Sequence, residues 1–152
     1  MTTVLLQTTM GDVRIELFEL SMPVTAGNFR KLVEKTFYDG TILHRVIAGF
    51  MIQGGDPKGT GFGGPGYTIR DEFTADNRNA RGTISMANAG PNTGGSQFFI
   101  NVADNHGLDR KHPVFGRVVG GMEVVDAISR TPTDNEDRPR TMVTIRKASL
   151  LP

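Results

Sequence analysis

The sequence predicts a mainly β protein, a closed and largely antiparallel barrel whose openings are plugged by two helices. Many short apolar or alternating stretches are separated by glycines and polar turns, which is typical of antiparallel sheets that close on themselves. Only two segments carry apolar residues at helical spacing. A chain of 152 residues is enough for one domain with one sizeable core. We therefore expect a single domain over residues 1–152.

The order of the elements follows from the same spacing. Pro23 can open a first helix, which is expected to end near Lys35, and a second helix is expected at residues 122–129, before Pro132. Residues 57–68 form a glycine-rich loop, and residues 131–140 a polar loop. The predicted strands are 4–9, 13–18, two within 41–55, then 82–87, 97–102, 114–119 and 142–150.

Composition excludes several classes of function. The 17 basic and 16 acidic residues nearly balance, which argues against a broad surface for nucleic acid or acidic membranes. The absence of cysteine excludes disulfides, thiolate metal sites and a cysteine nucleophile. No apolar run approaches the roughly 20 residues of a membrane helix, and residues 1–9 lack the pattern of a signal peptide. We expect a cytoplasmic protein.

Three motifs are weaker than they first look. The run 59–64 fits G-x-G-x-x-G, but Pro65 and Gly66 follow it where a nucleotide site needs a helix, so a shaped loop is favoured. Ser96 lacks the last glycine of a G-x-S-x-G elbow and is interpreted as a turn residue. The histidines, which are His44, His106 and His112, lack the spacing of metal ligands, so no metal site is expected.

The segment LHRVIAGFMIQGGD, residues 43–56, is the most informative. By strand alternation, Arg45 can share a face with Leu43 and Ile47, which places a charge among apolar side chains. Phe50 and Met51 are consecutive and cannot both face one core from a straight strand. One of the two must therefore face another apolar surface or be turned by the nearby glycines.

This segment and two others closely resemble the cyclophilin family of peptidyl-prolyl isomerases. The others are SMANAGPNTGGSQFFI, residues 85–100, and LDRKHPVFG, residues 108–116. The flanking runs 28–30 and 115–118 agree in kind, and the resemblance covers nearly the whole chain. It implies an eight-stranded β-barrel capped by two helices, with the site on the barrel's outer face. It also implies an enzyme that accelerates rotation about X–Pro bonds and assists protein folding, without a cofactor.

The resemblance also implies roles for individual positions. Arg45 matches the catalytic arginine, and an apolar pocket for the proline ring is matched by Phe50, Met51, Phe99 and Leu108. Gln53 and His112 match polar residues around the substrate. Ala87 and Asn88 match the stretch that binds the substrate backbone, and Gln97 matches a further site residue.

The implied partners are proline-containing peptides and unfolded or partly folded proteins, bound by a monomer. Leu43 and Ala48 stand where Phe and Pro are common in the family, which are tolerable packing changes. Gly107, preceded by His106, stands where many members have tryptophan. The resemblance implies binding of the cyclic peptide cyclosporin, which this glycine is expected to weaken.

Two other functions remain open from the sequence. The same groove could hold proline-containing segments without turnover, because fold and function can separate. The protein could also act as a scaffold or chaperone through an exposed surface. The retention of Arg45 beside Phe50, Met51 and Gln53 speaks against the first, and the lack of a long apolar patch or coiled coil speaks against the second.

Overall fold

Eight antiparallel strands form one curled sheet in the computed structural model, which describes residues 2–152. Met1, the first residue of the predicted domain, lies outside the described residues. Two helices and one short 3₁₀ helix, His106–Leu108, complete the structure. The helices are α1 (Pro23–Glu34) and α2 (Met122–Ser129). The strands are β1 (Thr3–Thr8), β2 (Gly11–Leu17), β3 (Arg45–Ile47), β4 (Met51–Gly54), β5 (Thr83–Met86), β6 (Phe98–Asn101), β7 (Val114–Gly120) and β8 (Ile145–Leu151).

The predicted closure of the barrel is wrong. The strand order is β3-β4-β6-β5-β7-β2-β1-β8, and the two edge strands do not pair with each other. The sheet is a curled half-barrel whose edges meet just before β3, where residues 40–43 exchange backbone hydrogen bonds with residues 143–145 and Ile42 forms an isolated bridge with Thr144. The free edge of β3 is occupied by a loop instead, because Val46 N–H donates to the carbonyl of Asp137 over 2.8 Å. That loop lies where a closing strand would have to lie.

The core fills the inside of the curl. Inward-facing residues of β2, such as Val13 and Ile15, alternate with outward polar ones, as expected for a sheet with one buried face. Phe29 of α1 packs against three aromatic rings at centroid distances of 5.0–5.5 Å. These partners are Tyr38, Phe98 and Phe115. Because the interior is occupied by side chains, a binding site has to lie on the outer face.

Helix α1 begins as its sequence predicts, but the cap comes from a distant residue. Pro23 occupies the first turn, and no neighbouring side chain caps the helix. The Glu72 carboxylate accepts hydrogen bonds from the N–H groups of Val24 and Thr25, at 3.0 and 2.7 Å. A carboxylate here satisfies free N–H groups and complements the positive end of the helix.

Within residues 2–152 no helix is both long enough and apolar enough to span a bilayer.

Candidate active site

Strand register places three predicted site residues in one row. Arg45 of β3 lies opposite Gln53 of β4, and Gln53 lies opposite Phe99 of β6. Residues directly opposite each other in adjacent strands project from the same face of the sheet. Their neighbours Val46, Ile52, Phe98 and Ile100 all belong to the core. The row therefore points away from the core, onto the outer face.

Of the two residues predicted to share a face with Arg45, only one does so. Ile47 lies two residues along β3 and shares the outer face with Arg45. Leu43 does not, because it precedes the strand and belongs to the core. Its side chain packs against the backbone of Gly54, where an added Cβ would lie 3.0 Å from it.

The ambiguity of Phe50 and Met51 is resolved by the turn between β3 and β4. Met51 begins β4 on its outer face and is buried there, outside the core cluster. Phe50 is half-buried in the preceding turn. The two consecutive residues therefore both face a second apolar surface rather than the core.

That second surface is a groove with a cavity of about 280 Å³. Nine of the ten predicted site residues line it. They are Arg45, Phe50, Met51, Gln53, Ala87, Asn88, Phe99, Leu108 and His112. The tenth, Gln97, lines an adjoining cavity of about 610 Å³ that shares Gln53, Ala87 and Asn88 with the first.

Polar side chains link the two cavities. Arg45 Nη1 donates to Gln53 Oε1 over a long 3.4 Å, and Gln53 Nε2 donates to Gln97 Oε1 over 3.0 Å. Gln97 Nε2 donates in turn to the carbonyls of Gly61 and Gly63, at 2.9 and 3.0 Å. Within residues 2–152, no carboxylate lies within 4.0 Å of Arg45. The guanidinium is exposed and keeps most of its donors for a bound molecule.

His112 is oriented by the protein backbone. Its Nδ1 lies 2.9 Å from the carbonyl oxygen of Met86, which can only accept, so this nitrogen carries a proton. Its ring meets the Phe99 ring edge to face, at a centroid distance of 5.1 Å. The other ring nitrogen is left for contacts in the groove.

Sequence reasoning missed the asparagines beneath the groove. Asn79 is fully buried, and its Nδ2 donates to the carbonyl of His112 over 3.3 Å. Asn105 Nδ2 donates to the carbonyl of Phe50 over 2.8 Å. These bonds hold two groove walls from below. No local pattern reveals them, because the partners lie more than 30 residues apart in the chain.

Ser96 serves the backbone, as the interpretation of a turn residue implies. It is buried, and its hydroxyl donates to the carbonyl of Gly55 over 2.7 Å.

His44 is also buried, and no hydrogen-bond partner for its Nδ1 is found within residues 2–152. Burial lowers the pKa of His44, so it stays uncharged at neutral pH.

Asp56 organises the glycine-rich loop that follows β4. Its buried carboxylate accepts the N–H groups of Lys58, Thr60, Gly61 and Gly63, at 2.7–3.1 Å. Burial alone would raise the pKa of Asp56, but these backbone donors outweigh it and lower the pKa to about 2. The loop is therefore built around a carboxylate that is negatively charged at neutral pH.

Comparisons with known proteins agree with this fold. A family model described as "Cyclophilin type peptidyl-prolyl cis-trans isomerase/CLD" matches residues 3–150. A "Peptidyl-prolyl cis-trans isomerase-like 1" of Neurospora crassa is 49% identical, over 99% of this chain and 94% of its own. A "Peptidyl-prolyl cis-trans isomerase A" of Mycobacterium tuberculosis is 45% identical, over 97% of this chain and 91% of its own.

Solved structures give the same answer. A cyclophilin-type peptidyl-prolyl cis-trans isomerase of Cryptosporidium parvum superposes with a TM-score of 0.96 at 35% identity, covering 99% of this chain and 98% of that one. The same isomerase in the presence of the dipeptide ala-pro gives 0.95 at 36% identity, with 99% of both chains covered. The chain belongs to the cyclophilin-type peptidyl-prolyl cis-trans isomerase family.

The low pKa of Asp56 predicts how the protein responds to acid. The pKa of Asp56 is about 2 in the folded protein, below its ordinary value of 3.8. The carboxylate therefore stabilises the fold fully above pH 3.8 and loses that contribution as the pH falls through about 2. Asp56→Asn should therefore be less stable than wild type near neutrality, and the difference should shrink toward about pH 2. Urea unfolding at a series of pH values measures it. A difference that stays constant with pH would contradict the assignment.

Proposed function

We propose that the groove binds an X–Pro segment with the proline ring against Phe99 and that Arg45 is the catalytic residue. The chain is a peptidyl-prolyl cis-trans isomerase, so the question is how this groove lowers the rotational barrier. The observation that supports the proposal is the row formed by Arg45, Gln53 and Phe99. It sets beside an apolar pocket a guanidinium that pairs with no carboxylate among the described residues.

To accelerate the reaction, the site has to stabilise the state in which the X–Pro bond is twisted. Resonance gives the imide C–N bond partial double-bond character and a barrier of roughly 18–20 kcal/mol. Uncatalysed exchange at X–Pro takes tens to hundreds of seconds. In the twisted state resonance is lost, and the prolyl nitrogen becomes pyramidal and basic. A donor aimed at that nitrogen stabilises the twisted state more than the planar one, which lowers the barrier.

Arg45 suits that role. An arginine stays charged and presents rigid, planar donors. Its neighbours carry no competing carboxylate among the described residues. Gln53 Oε1 takes one donor and steadies the group, and the remaining donors are left for the substrate.

The pocket holds the ring while the acyl side turns. Phe50, Met51, Phe99 and Leu108 supply apolar walls, and they exclude water, which strengthens the field of Arg45. Ala87 and Asn88 lie where both cavities meet and are proposed to bind the backbone before the proline. His112 and Gln97 complete the polar rim. The Cryptosporidium relative was solved in the presence of ala-pro, which supports a proline-containing ligand.

The natural substrates are proposed to be proline-containing segments of unfolded or partly folded proteins, so that the enzyme assists folding. A monomeric state and a cytoplasmic location stay predictions. Binding without turnover is the alternative function, and isomerisation of a short proline peptide separates the two directly.

Arg45→Ala should cost roughly 2–4 kcal/mol of transition-state stabilisation, by analogy with the loss of one oxyanion donor. The loss should fall mainly on kcat, because the contact strengthens only as the bond twists. Peptide isomerisation kinetics measure it. Arg117→Ala is the matched control, since Arg117 is exposed on β7 and pairs with Glu16, and it should keep full turnover. Wild-type turnover in Arg45→Ala would refute the mechanism.

Phe99→Ala should lower substrate binding and turnover, with a stability loss below the roughly 3–5 kcal/mol of a core Phe→Ala change. Phe99 is buried but faces the groove, outside the core cluster. Phe98→Ala is the control from the opposite face, because Phe98 belongs to the core, and it should show the full stability loss with turnover per folded molecule retained. Urea unfolding measures the stability of both variants, and peptide kinetics measure their turnover. A large stability loss with normal turnover in Phe99→Ala would contradict the placement of Phe99 in the groove.

Activity should vary only weakly between about pH 6 and 9. Arginine keeps its charge over this range, and the mechanism moves no proton. Burial lowers the pKa of His44, which shifts its titration toward the acid side. The measurement is kcat/KM for a peptide across the range. A bell-shaped profile with order-of-magnitude swings would indicate general acid–base catalysis instead.

Cyclosporin should inhibit weakly, because Gly107 offers neither an apolar face nor an indole N–H. The missing contacts should cost roughly 1–3 kcal/mol, or about five- to 150-fold in affinity. A Cβ at Gly107 meets nothing within 4 Å, so a side chain can start there without a clash, and Gly107→Trp should restore part of the inhibition. His106 is held 3.0 Å from the Asp109 carboxylate, so His106→Ala should change little. Inhibition titrations test this, and nanomolar inhibition unchanged by Gly107→Trp would disprove it.

A further inference from the structure

We propose that Asp56, together with the loop 57–68 that it organises, positions Arg45 for catalysis by setting the orientation of two glutamine amides. The inference rests on the proposed role of Arg45. This positioning role would explain why the glycine-rich run is there, since that run does not line the pocket proposed for the proline ring.

The argument begins with what each atom can do. The carbonyl oxygens of Gly61 and Gly63 only accept hydrogen bonds, so the Gln97 group that faces both of them must be its NH₂. The oxygen of Gln97 then faces Gln53, which must present its own NH₂. The oxygen of Gln53 is left toward Arg45, which only donates. The polarity of the whole relay follows from two loop carbonyls.

The alternative orientation shows why this matters. If the loop carbonyls moved away, both amides could turn over, and Gln53 would present an NH₂ group to the guanidinium. Two donors facing each other form no hydrogen bond, and Arg45 would swing away. Within residues 2–152 this is the only hydrogen bond of the exposed Arg45 side chain, which lies at one end of a strand of three residues.

Asp56 determines where those carbonyls lie. Its carboxylate accepts the N–H groups of the same two residues, Gly61 at 2.7 Å and Gly63 at 3.1 Å. Each glycine is thus held through its N–H on one side and presents its carbonyl to Gln97 on the other. Asp56 itself follows β4 by two residues, so it is anchored to the strand that carries Gln53.

The glycines are required by the same carboxylate. A Cβ on Gly63 would overlap the Asp56 carboxylate, and Gly61 has a left-handed φ of +91°, which side chains rarely adopt. The run that resembles a nucleotide-binding motif therefore wraps a buried carboxylate of the protein itself.

The test is a double-mutant cycle between Asp56 and Arg45, read as kcat and KM per folded molecule. Asp56→Asn should lower kcat about tenfold, because a displacement of about 1 Å can cost up to about a hundredfold and the amide keeps one acceptor oxygen for the loop, while KM changes little. In the Arg45→Ala background, Asp56→Asn should have no further effect on kcat. Equal losses in both backgrounds, or wild-type kcat in Asp56→Asn, would overturn the proposal.

Two further variants make the result specific. Glu72→Gln is the matched control, because Glu72 is a carboxylate that accepts backbone N–H groups at α1, outside the groove, and it should lower stability but not kcat. If Asp56→Asn does not fold, Gln97→Met breaks the relay with the carboxylate intact and should show the same dependence on Arg45. Wild-type turnover in Arg45→Ala refutes the proposed mechanism, whereas loss there with normal kcat in Asp56→Asn refutes only the positioning role.

Discussion

The pairing of β4 with β3 on one side and β6 on the other is the constraint on which the site depends. Successive residues of a strand point to opposite faces. The core takes Val46, Ile52, Phe98 and Ile100, so their neighbours are forced outward in register. An arginine, a glutamine and a phenylalanine from three separate segments meet because apolar residues beside them are buried. A slip by one residue in either pairing would exchange the two faces and destroy the groove.

The site combines two fixed charges with no proton carrier between them. The Asp56 carboxylate is buried and has a pKa of about 2, whereas Arg45 is exposed and faces the groove. Neutral amides connect the two. In the proposed mechanism such an arrangement is preorganised, because its donors would be in place before the substrate bond begins to twist. It suits a reaction that needs a directed electric field and breaks no covalent bond.

The sequence predicted the elements well because their signals are local. Alternation in β2 and helical spacing in α2 depend on neighbours within a few residues, and α2 has the expected bounds. The closed barrel was wrong for a reason that is not local. Whether β3 meets β8 depends on the loop at residues 131–140, which takes the hydrogen bond of Val46 at the sheet edge. The cap of α1 by Glu72, about 50 residues away, is of the same kind.

The sequence by itself determined the family and brought forward the residues of the groove, because long ordered motifs carry that information without coordinates. It left Phe50 and Met51 ambiguous and placed Leu43 on the wrong face, since a strand pattern cannot show where β3 begins. Only the tertiary structure decided how Asp56, the loop glycines and Gln97 act together. Asp56 meets the loop glycines locally, but Gln97 meets those glycines and Gln53 across 34 to 44 residues of chain. Such distant contacts exist only once the sheet has brought those segments side by side.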